Sequence, residues 1–389
     1  MNDFRTKLAH RFRKQQEFAD GYSPLSARLF GIVADWLEAD GEDALVDWLL
    51  DVGNGRAPLD ITLLLLAGLH RDVLNQVPQA AELAQYYPSV GGQRDFNNAQ
   101  LPHILRQTIL ARRDALAPFV QTATVQTNET ARGVCWLLPL LYTSWDAVHL
   151  VDLGASAGLN LVAEARNYRI FYGDPLAVNG NQFFDVGGGQ SVQFPMQTQG
   201  PFRQPPTTNR QPQILSRTGC DLAPFRLETA ADEQTLAAYI WADQPQRLER
   251  LREGLAAFHQ TDPPVQLHPV RLPNELPEFL ATAVPLHPNS PVVIYNTNMT
   301  VYLDDKGRSF QQHIANWATT QKRPVLWIQW EPLWDGPQPP EYAWVAWTAD
   351  LWQAGRHHRW HLAWNHPHGT AVHWLSGLHN WAAFWQETT

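Results

Sequence analysis

Chemistry in this 389-residue chain concentrates in Val148–Ala165, VHLVDLGASAGLNLVAEA, where an apolar run meets a turn of small residues. Taken as strand, tight turn and helix, that layout supports two chemistries. Gly154-Ala155-Ser156-Ala157-Gly158 fits the G-x-S-x-G elbow, in which a sharp turn exposes a serine nucleophile. Asp304 or Asp335 and then His361 or His366 follow in the chain order such hydrolases use. The same small residues suit a cradle: the backbone approaches a nucleoside closely, and the N–H groups of the following helix face it. A dinucleotide cradle fits less well, because G-x-G-x-x-G counted from Gly154 meets Ser156 and Leu159 at its second and third glycines.

Other polar clusters flank this loop. Gln126-Thr127-Asn128-Glu129 stands just ahead of it, either as a helix cap or as a pocket wall. Asn296, Asn298 and Tyr302 follow one later apolar run, and Gln329, Glu331 and Trp334 close another. Strand ends are where an acceptor pocket is expected, with Asn296 and Glu331 as candidate catalytic residues and Tyr302 as a substrate contact. Glu331 is a general base or a strand-end carboxylate capping a turn before Pro332. Seven histidines lie from His357 to His379. No acid or thiolate accompanies them and strand alternation splits neighbours between faces, so no metal site is expected.

The elements that must position these residues differ along the chain. Phe4, Leu8 and Phe12 recur at helical spacing, and a second helix follows Ser23-Pro24 with Leu25, Leu29, Ile32, Val33 and Trp36 inward. Asp60 is expected to cap a third helix, another spans about Pro102 to Val120, and one from Gln126 to Tyr142 leads into a sheet. No alternating strand precedes residue 146. Strands are predicted at Val148, Tyr168–Asp174, Ile214–Asp221, Val265–Leu272, Pro291–Leu303 and Arg323–Pro332, with a long helix at about Asp232–Phe258. Gly187–Gln213 is too rich in Gly, Pro, Gln and Thr for a core element and is expected to be an arm or flap. HRWHLAWN and TAVHWL flank His366-Pro367-His368-Gly369, which predicts an antiparallel hairpin on the sheet edge. The expected fold is therefore α/β: a doubly wound, mostly parallel sheet over 146–389 with an irregular insertion at about 170–213, preceded by an all-helical cap over 1–145.

Composition narrows the partners. A net charge of -9 and a pI near 5.9 argue against nucleic acid, which needs a basic face. Two cysteines without a CxxC pair argue against a disulfide framework, MNDFRTKLAHRFRKQQ has no apolar signal core, and Ile61–Leu69 is about half a membrane span. A soluble cytoplasmic protein that binds a small molecule is expected. Of the 17 tryptophans, twelve follow residue 316; core packing accounts for most of them, an aromatic pocket for the rest.

Context separates the two loops. An elbow on the first strand of the chain, with no donor loop ahead of it, forgoes about 2.7–4 kcal/mol of oxyanion stabilisation. Asp152-Leu153-Gly154-Ala155-Ser156-Ala157-Gly158 resembles motif I of class I S-adenosylmethionine-dependent methyltransferases, with Ser156 at the middle glycine. That resemblance implies a Rossmann-like fold, with Asp152, Gly154, Ala155, Ser156, Gly158 and Asn160 around the cofactor. It also implies an acid ending the second strand to hold the ribose: Asp221, or Asp174 nearer in sequence. QTNE, GASAGLNL, R-x-G-x-D at 217–221 and the W-x-D-Q of Trp241–Gln244 together resemble an uncharacterised bacterial family, domain of unknown function 2332, regarded as methyltransferase-like. Gln126, Asn128 and Glu129 gain a substrate-binding role from it. The expected function is methyl transfer from S-adenosylmethionine to a small molecule. The alternatives are a serine hydrolase using Ser156 and a non-catalytic nucleoside-binding or scaffold protein.

Overall fold

The computed structural model describes residues 2–126, 129–172, 182–189, 193–206, 211–284 and 290–387. The helices in chain order are α1 (Asn2–Ala19), α2 (Pro24–Glu38), α3 (Ala44–Val52), α4 (Pro58–Leu74), α5 (Ala81–Ala84) and α6 (Leu101–Thr122). They continue with α7 (Val134–Leu140), α8 (Ala230–Ala238), α9 (Pro245–Gln260), α10 (Leu276–Thr282), α11 (Arg308–Thr320) and α12 (Ser376–Glu387). The chain forms two compact units, Met1–Thr127 with Arg226–Leu251 and Asn128–Phe225 with Arg252–Thr389.

In the first unit, apolar stripes at helical spacing build one core, with Leu8, Phe12, Leu29, Ile32 and Val33 fully covered. The cap expected at Asp60 is not there: α4 starts at Pro58 with Ala57 ahead of it, and Asp60 lies in the first turn. Proline fits that first position because its missing N–H has no helical partner to lose. The long helix expected over Asp232–Phe258 is instead two, α8 and α9, separated by the W-x-D-Q segment. Trp241 stacks on Tyr22 at 4.9 Å and meets Phe30 edge-on at 5.9 Å. Asp243 accepts from the Ser23 hydroxyl and from the Leu25 N–H at 3.0 Å, so it supplies the α2 cap that Ser23 does not.

The second unit carries an eleven-stranded sheet. Its strands are β1 (Ala147–Leu153), β2 (Asn167–Tyr172), β3 (Gln182–Val186), β4 (Gln193–Gln199), β5 (Gln213–Asp221) and β6 (Val265–Pro269). They continue with β7 (Val292–Thr297), β8 (Val325–Glu331), β9 (Val345–Gln353), β10 (Arg356–Asn365) and β11 (Ala371–Trp374). The order is β3-β2-β4-β11-β10-β9-β8-β7-β1-β5-β6, and β6-β5-β1-β7-β8 is entirely parallel. Both faces of β1, β7 and β8 are covered, which is why β7 and β8 are near-continuous apolar runs. One face packs Val151, Leu153, Ile294 and Trp327 on Phe279, Phe310 and Ile314; the other packs Tyr295, Ile328 and Trp347 with Trp136, Trp381 and Trp385. Six tryptophans share that second core, so packing accounts for them.

Three expectations are corrected here. The insertion is not an arm: β4 pairs in parallel with β2 and β11 and buries Phe194 and Met196. The β10–β11 hairpin forms, but inside the sheet, because β9 flanks β10 and β4 flanks β11. The segment after Gly158 is a 3-10 turn, Leu159–Ala165, with Val162 out of helical geometry. Its carbonyls are taken by side chains: Leu159 O by Arg166, Asn160 O by Trp136 at 2.8 Å and Leu161 O by Arg217. These bonds pin the segment, and the non-helical Val162 (φ −119°, ψ 30°) interrupts it. Among the described residues, no helix is long and apolar enough to cross a membrane.

Asp243→Ala removes the α2 cap acceptor and is expected to cost about 1–2 kcal/mol, seen as a lower urea midpoint while Asp243→Asn loses less. A midpoint unchanged in Asp243→Ala contradicts the capping role.

Candidate functional site

The strand order places a topological switch between β1 and β7. From β1 the parallel strands run outward through β5 to β6, and from β7 the other way to β8. The crevice beyond the carboxyl ends at such a point is where open α/β sheets bind ligands. The loop after β1 sits there and is anchored to the end of β5. Gly154 N–H and Ala155 N–H donate to Cys220 O at 2.8 and 2.9 Å. Ser156 N–H donates to Asp221 Oδ2 at 2.9 Å, and Ser156 O accepts from Phe225 N–H at 3.1 Å. Ser156 has φ +50°, a conformation a non-glycine residue keeps only when its surroundings hold it. Gly154, at φ +96°, has no space for a side chain: a Cβ there meets Met299 Cγ at 2.8 Å.

The remaining family-like motifs brace this loop. Arg217, buried, pairs with Glu164 and the Leu161 carbonyl, fixing the 3-10 turn against β5. At Gly219 a Cβ falls 2.7 Å from Ala155 Cβ. Asp221 Oδ1 also accepts from Ala223 N–H at 3.1 Å. Glu129 is buried, and its carbonyl accepts from Asn160 Nδ2 at 3.3 Å; Asn160 Oδ1 is buried without a hydrogen-bond partner. Asn128 and Asp174 lie outside the described residues, and Gln126 belongs to the first unit.

Glu331 and Asn296 do not stand free as catalytic groups. Glu331 Oε1 accepts from Asn296 Nδ2 and Met299 N–H, both at 2.8 Å. Its Oε2 accepts from Thr300 N–H at 3.1 Å and Thr300 Oγ1 at 2.6 Å. Four donors fill a carboxylate's four acceptor positions. Burial nonetheless raises its pKa. Asn296 Oδ1 accepts from Trp327 Nε1 at 2.7 Å. Asn296 and Glu331, the expected catalytic pair, bond each other, and Glu331 holds the loop after β7. Tyr302, at the end of that loop, is 79% exposed.

Two features escaped sequence reasoning. Asn298 Nδ2 and Arg132 Nε both donate to Pro367 O, at 3.3 and 2.9 Å, which brings the β10–β11 turn to the same crest. His368 Nδ1 then lies 3.5 Å from Glu129 Oε2, a carboxylate–imidazole pair drawn from opposite ends of the unit. No local pattern links residues 235 positions apart, as Arg132 and Pro367 are. The second feature is the buried bond of Asp152, whose Oδ2 accepts from Tyr295 Oη at 2.7 Å. Burial pushes its pKa up to about 7, against the Tyr295 bond and with repulsion from Asp221. The groups expected for a serine triad bond elsewhere: Asp335 with Arg308, His361 Nε2 with Ala363 O, His366 Nδ1 with Thr370 Oγ1. Among the described residues no three His, Cys, Asp or Glu side chains converge as a metal ion requires.

The family profile described as "Uncharacterized protein conserved in bacteria (DUF2332)" matches residues 9–374. The chain belongs to that family. No curated protein and no solved structure matches it. In this DUF2332 protein three of the four motifs, GASAGLNL, R-x-G-x-D and the Glu129 end of QTNE, meet around one loop. The fourth, W-x-D-Q, is the clasp on α2 in the first unit.

Asp152 yields a pH prediction. Its folded pKa near 7 exceeds the ordinary 3.8, so between them the folded chain binds a proton that the unfolded chain releases. Stability from this group is full below about pH 4 and lost as pH rises through about 7. Asp152→Asn is expected to match the wild type in acid and to be the more stable protein above about pH 7.5, by urea midpoints across that range. Parallel curves for the two proteins contradict the buried-acid assignment.

Proposed function

We propose that this protein transfers a methyl group from S-adenosylmethionine to a small molecule, on a Rossmann-like class I methyltransferase fold. The observation that carries the reading is the Ser156 N–H to Asp221 Oδ2 bond at the switch point. It joins the small-residue loop of the first parallel strand to the acid closing the second. In chain order the parallel strands lie third, second, first, fourth, fifth, the doubly wound nucleotide-binding arrangement. The 3-10 turn after the loop favours this cofactor over a dinucleotide. A pyrophosphate draws on an α-helix N-terminus, which the turn does not offer; an adenosyl sulfonium has no phosphate.

The residues present fit such a group. Asp221 keeps one acceptor position on each oxygen for ribose hydroxyls. Asn160 Oδ1, buried and unpartnered, and the Glu129 carboxylate are acceptors for an ammonium. When bound, S-adenosylmethionine supplies an electrophilic methyl group. The protein's share is alignment and water exclusion, for which near-attack geometry contributes about 7–11 kcal/mol. Glu129 Oε2 lies 3.5 Å from His368 Nδ1, and Nε2 is the atom to take a proton from an acceptor that arrives protonated. The positive φ of Ser156 also suits a nucleophile elbow, while Asp335, His361 and His366 bond Arg308, the Ala363 carbonyl and Thr370.

Isothermal titration calorimetry with S-adenosylmethionine and S-adenosylhomocysteine tests this. Binding of both is expected, weakened roughly 10- to 100-fold in Asp221→Ala, as loss of hydrogen bonds to a charged group predicts. No heat for either ligand, with the protein folded by circular dichroism, overturns the reading.

A further inference from the structure

Beyond the ends of β7 and β8 lies a cleft of about 480 Å³, within the range of small-molecule sites. Its lining has two chemical halves. Lys306, Arg308 and Arg359 supply three cations against the single carboxylate of Asp335, in a chain whose net charge is -9. Pro332, Leu333 and Trp334 supply the apolar half.

The positive charge is only partly spent within the protein. Arg308 Nη2 meets Asp335 Oδ2 at 2.9 Å, but that pair is about two-thirds exposed and holds each partner weakly. Arg359 Nε stands 3.6 Å from Asp350 Oδ2, outside hydrogen-bond range, while the other oxygen of Asp350 takes His357 Nε2 at 2.8 Å. Lys306 Nζ sits 5.3 Å from the centre of the Trp334 ring and, among the described residues, has no carboxylate within 4.0 Å. Trp334 is 40% exposed, a large apolar surface beside these cations. His361, half-buried in the same lining, turns Nε2 away to the Ala363 carbonyl, and burial lowers its pKa, so it adds no fixed charge.

We propose that this cleft binds a small organic anion, its carboxylate or phosphate held by Lys306 and Arg359 and its apolar body laid against Leu333 and Trp334. None of its lining residues belongs to the Gly154–Gly158 loop, so the site goes beyond the methyl-transfer reading and does not depend on it. Two-sided chemistry of this kind selects an amphiphilic anion over both an inorganic ion and a neutral ring.

Fluorine NMR of fluorobenzoate titrated with the full-length protein tests the proposal, with fluorobenzamide as the neutral counterpart and no nucleoside present. Saturable binding of fluorobenzoate is expected, competed by phenyl phosphate and weakened about tenfold in Lys306→Gln and in Arg359→Gln. Both positions are on the surface, and thermal melting verifies that the variants fold. No saturable binding of fluorobenzoate, equal binding of fluorobenzamide, or wild-type affinity in both variants overturns it. Because the titration omits S-adenosylmethionine, its failure is separate from failure of the cofactor reading.

Discussion

A carboxylate withdrawn from water must find donors, and the buried Glu331 at the end of β8 finds four. All come from Asn296, Met299 and Thr300, so the loop leaving β7 is wound around this one side chain. The bond to Met299 N–H fixes where the Met299 side chain goes, and that side chain fills the space a Cβ at Gly154 would need. Asp221 does the equivalent from the other side, holding Ser156 N–H. The loop after β1 is thus gripped between carboxylates from β8 and β5. A loop built this way needs no helix dipole to keep its shape, which is consistent with the 3-10 turn that follows it.

The sheet supplies the geometry behind this grip. Its five parallel strands reverse direction of growth between β1 and β7, which opens the crest where the loop lies. The remaining six strands extend only the β8 side. Because β11 pairs with β4, the β10–β11 turn is carried to the crest and not to an outer edge. There Pro367 is tied to Arg132 and Asn298, and His368 meets Glu129. The site is therefore assembled from five remote segments, four of them placed by sheet pairing and the fifth, Glu129–Arg132, by the 3-10 turn ahead of α7.

Much of the parallel core was legible because continuous apolar runs such as Val292–Ile294 and Val325–Ile328 announce strands buried on both faces. The bond between Ser156 and Asp221 unites two residues that motif reading had already put in one site. Three kinds of information were hidden. Side chains from elsewhere, Arg166, Trp136 and Arg217, bond the carbonyls of the 3-10 turn Leu159–Ala165, and no local propensity records that. Strand β4 reads as loop because its apolar residues, Phe194 and Met196, are few among Gln and Thr, yet alternate correctly for one buried face. Strand β9 escaped because its turn to β10 is Ala354-Gly355, both at positive φ, where the usual signal is Asn-Gly. Glu331 stands out in the sequence for its chemistry, but only the packed structure reveals that its acceptor positions are filled.

The central claim is that a nucleoside occupies the crest between Gly154–Gly158 and Asp221. A crystal structure of the protein grown with S-adenosylhomocysteine tests it most directly. The account predicts ligand density along that loop, with the ribose hydroxyls on the Asp221 carboxylate. Density for the ligand at another place, or a well-ordered loop with none beside it, contradicts the account.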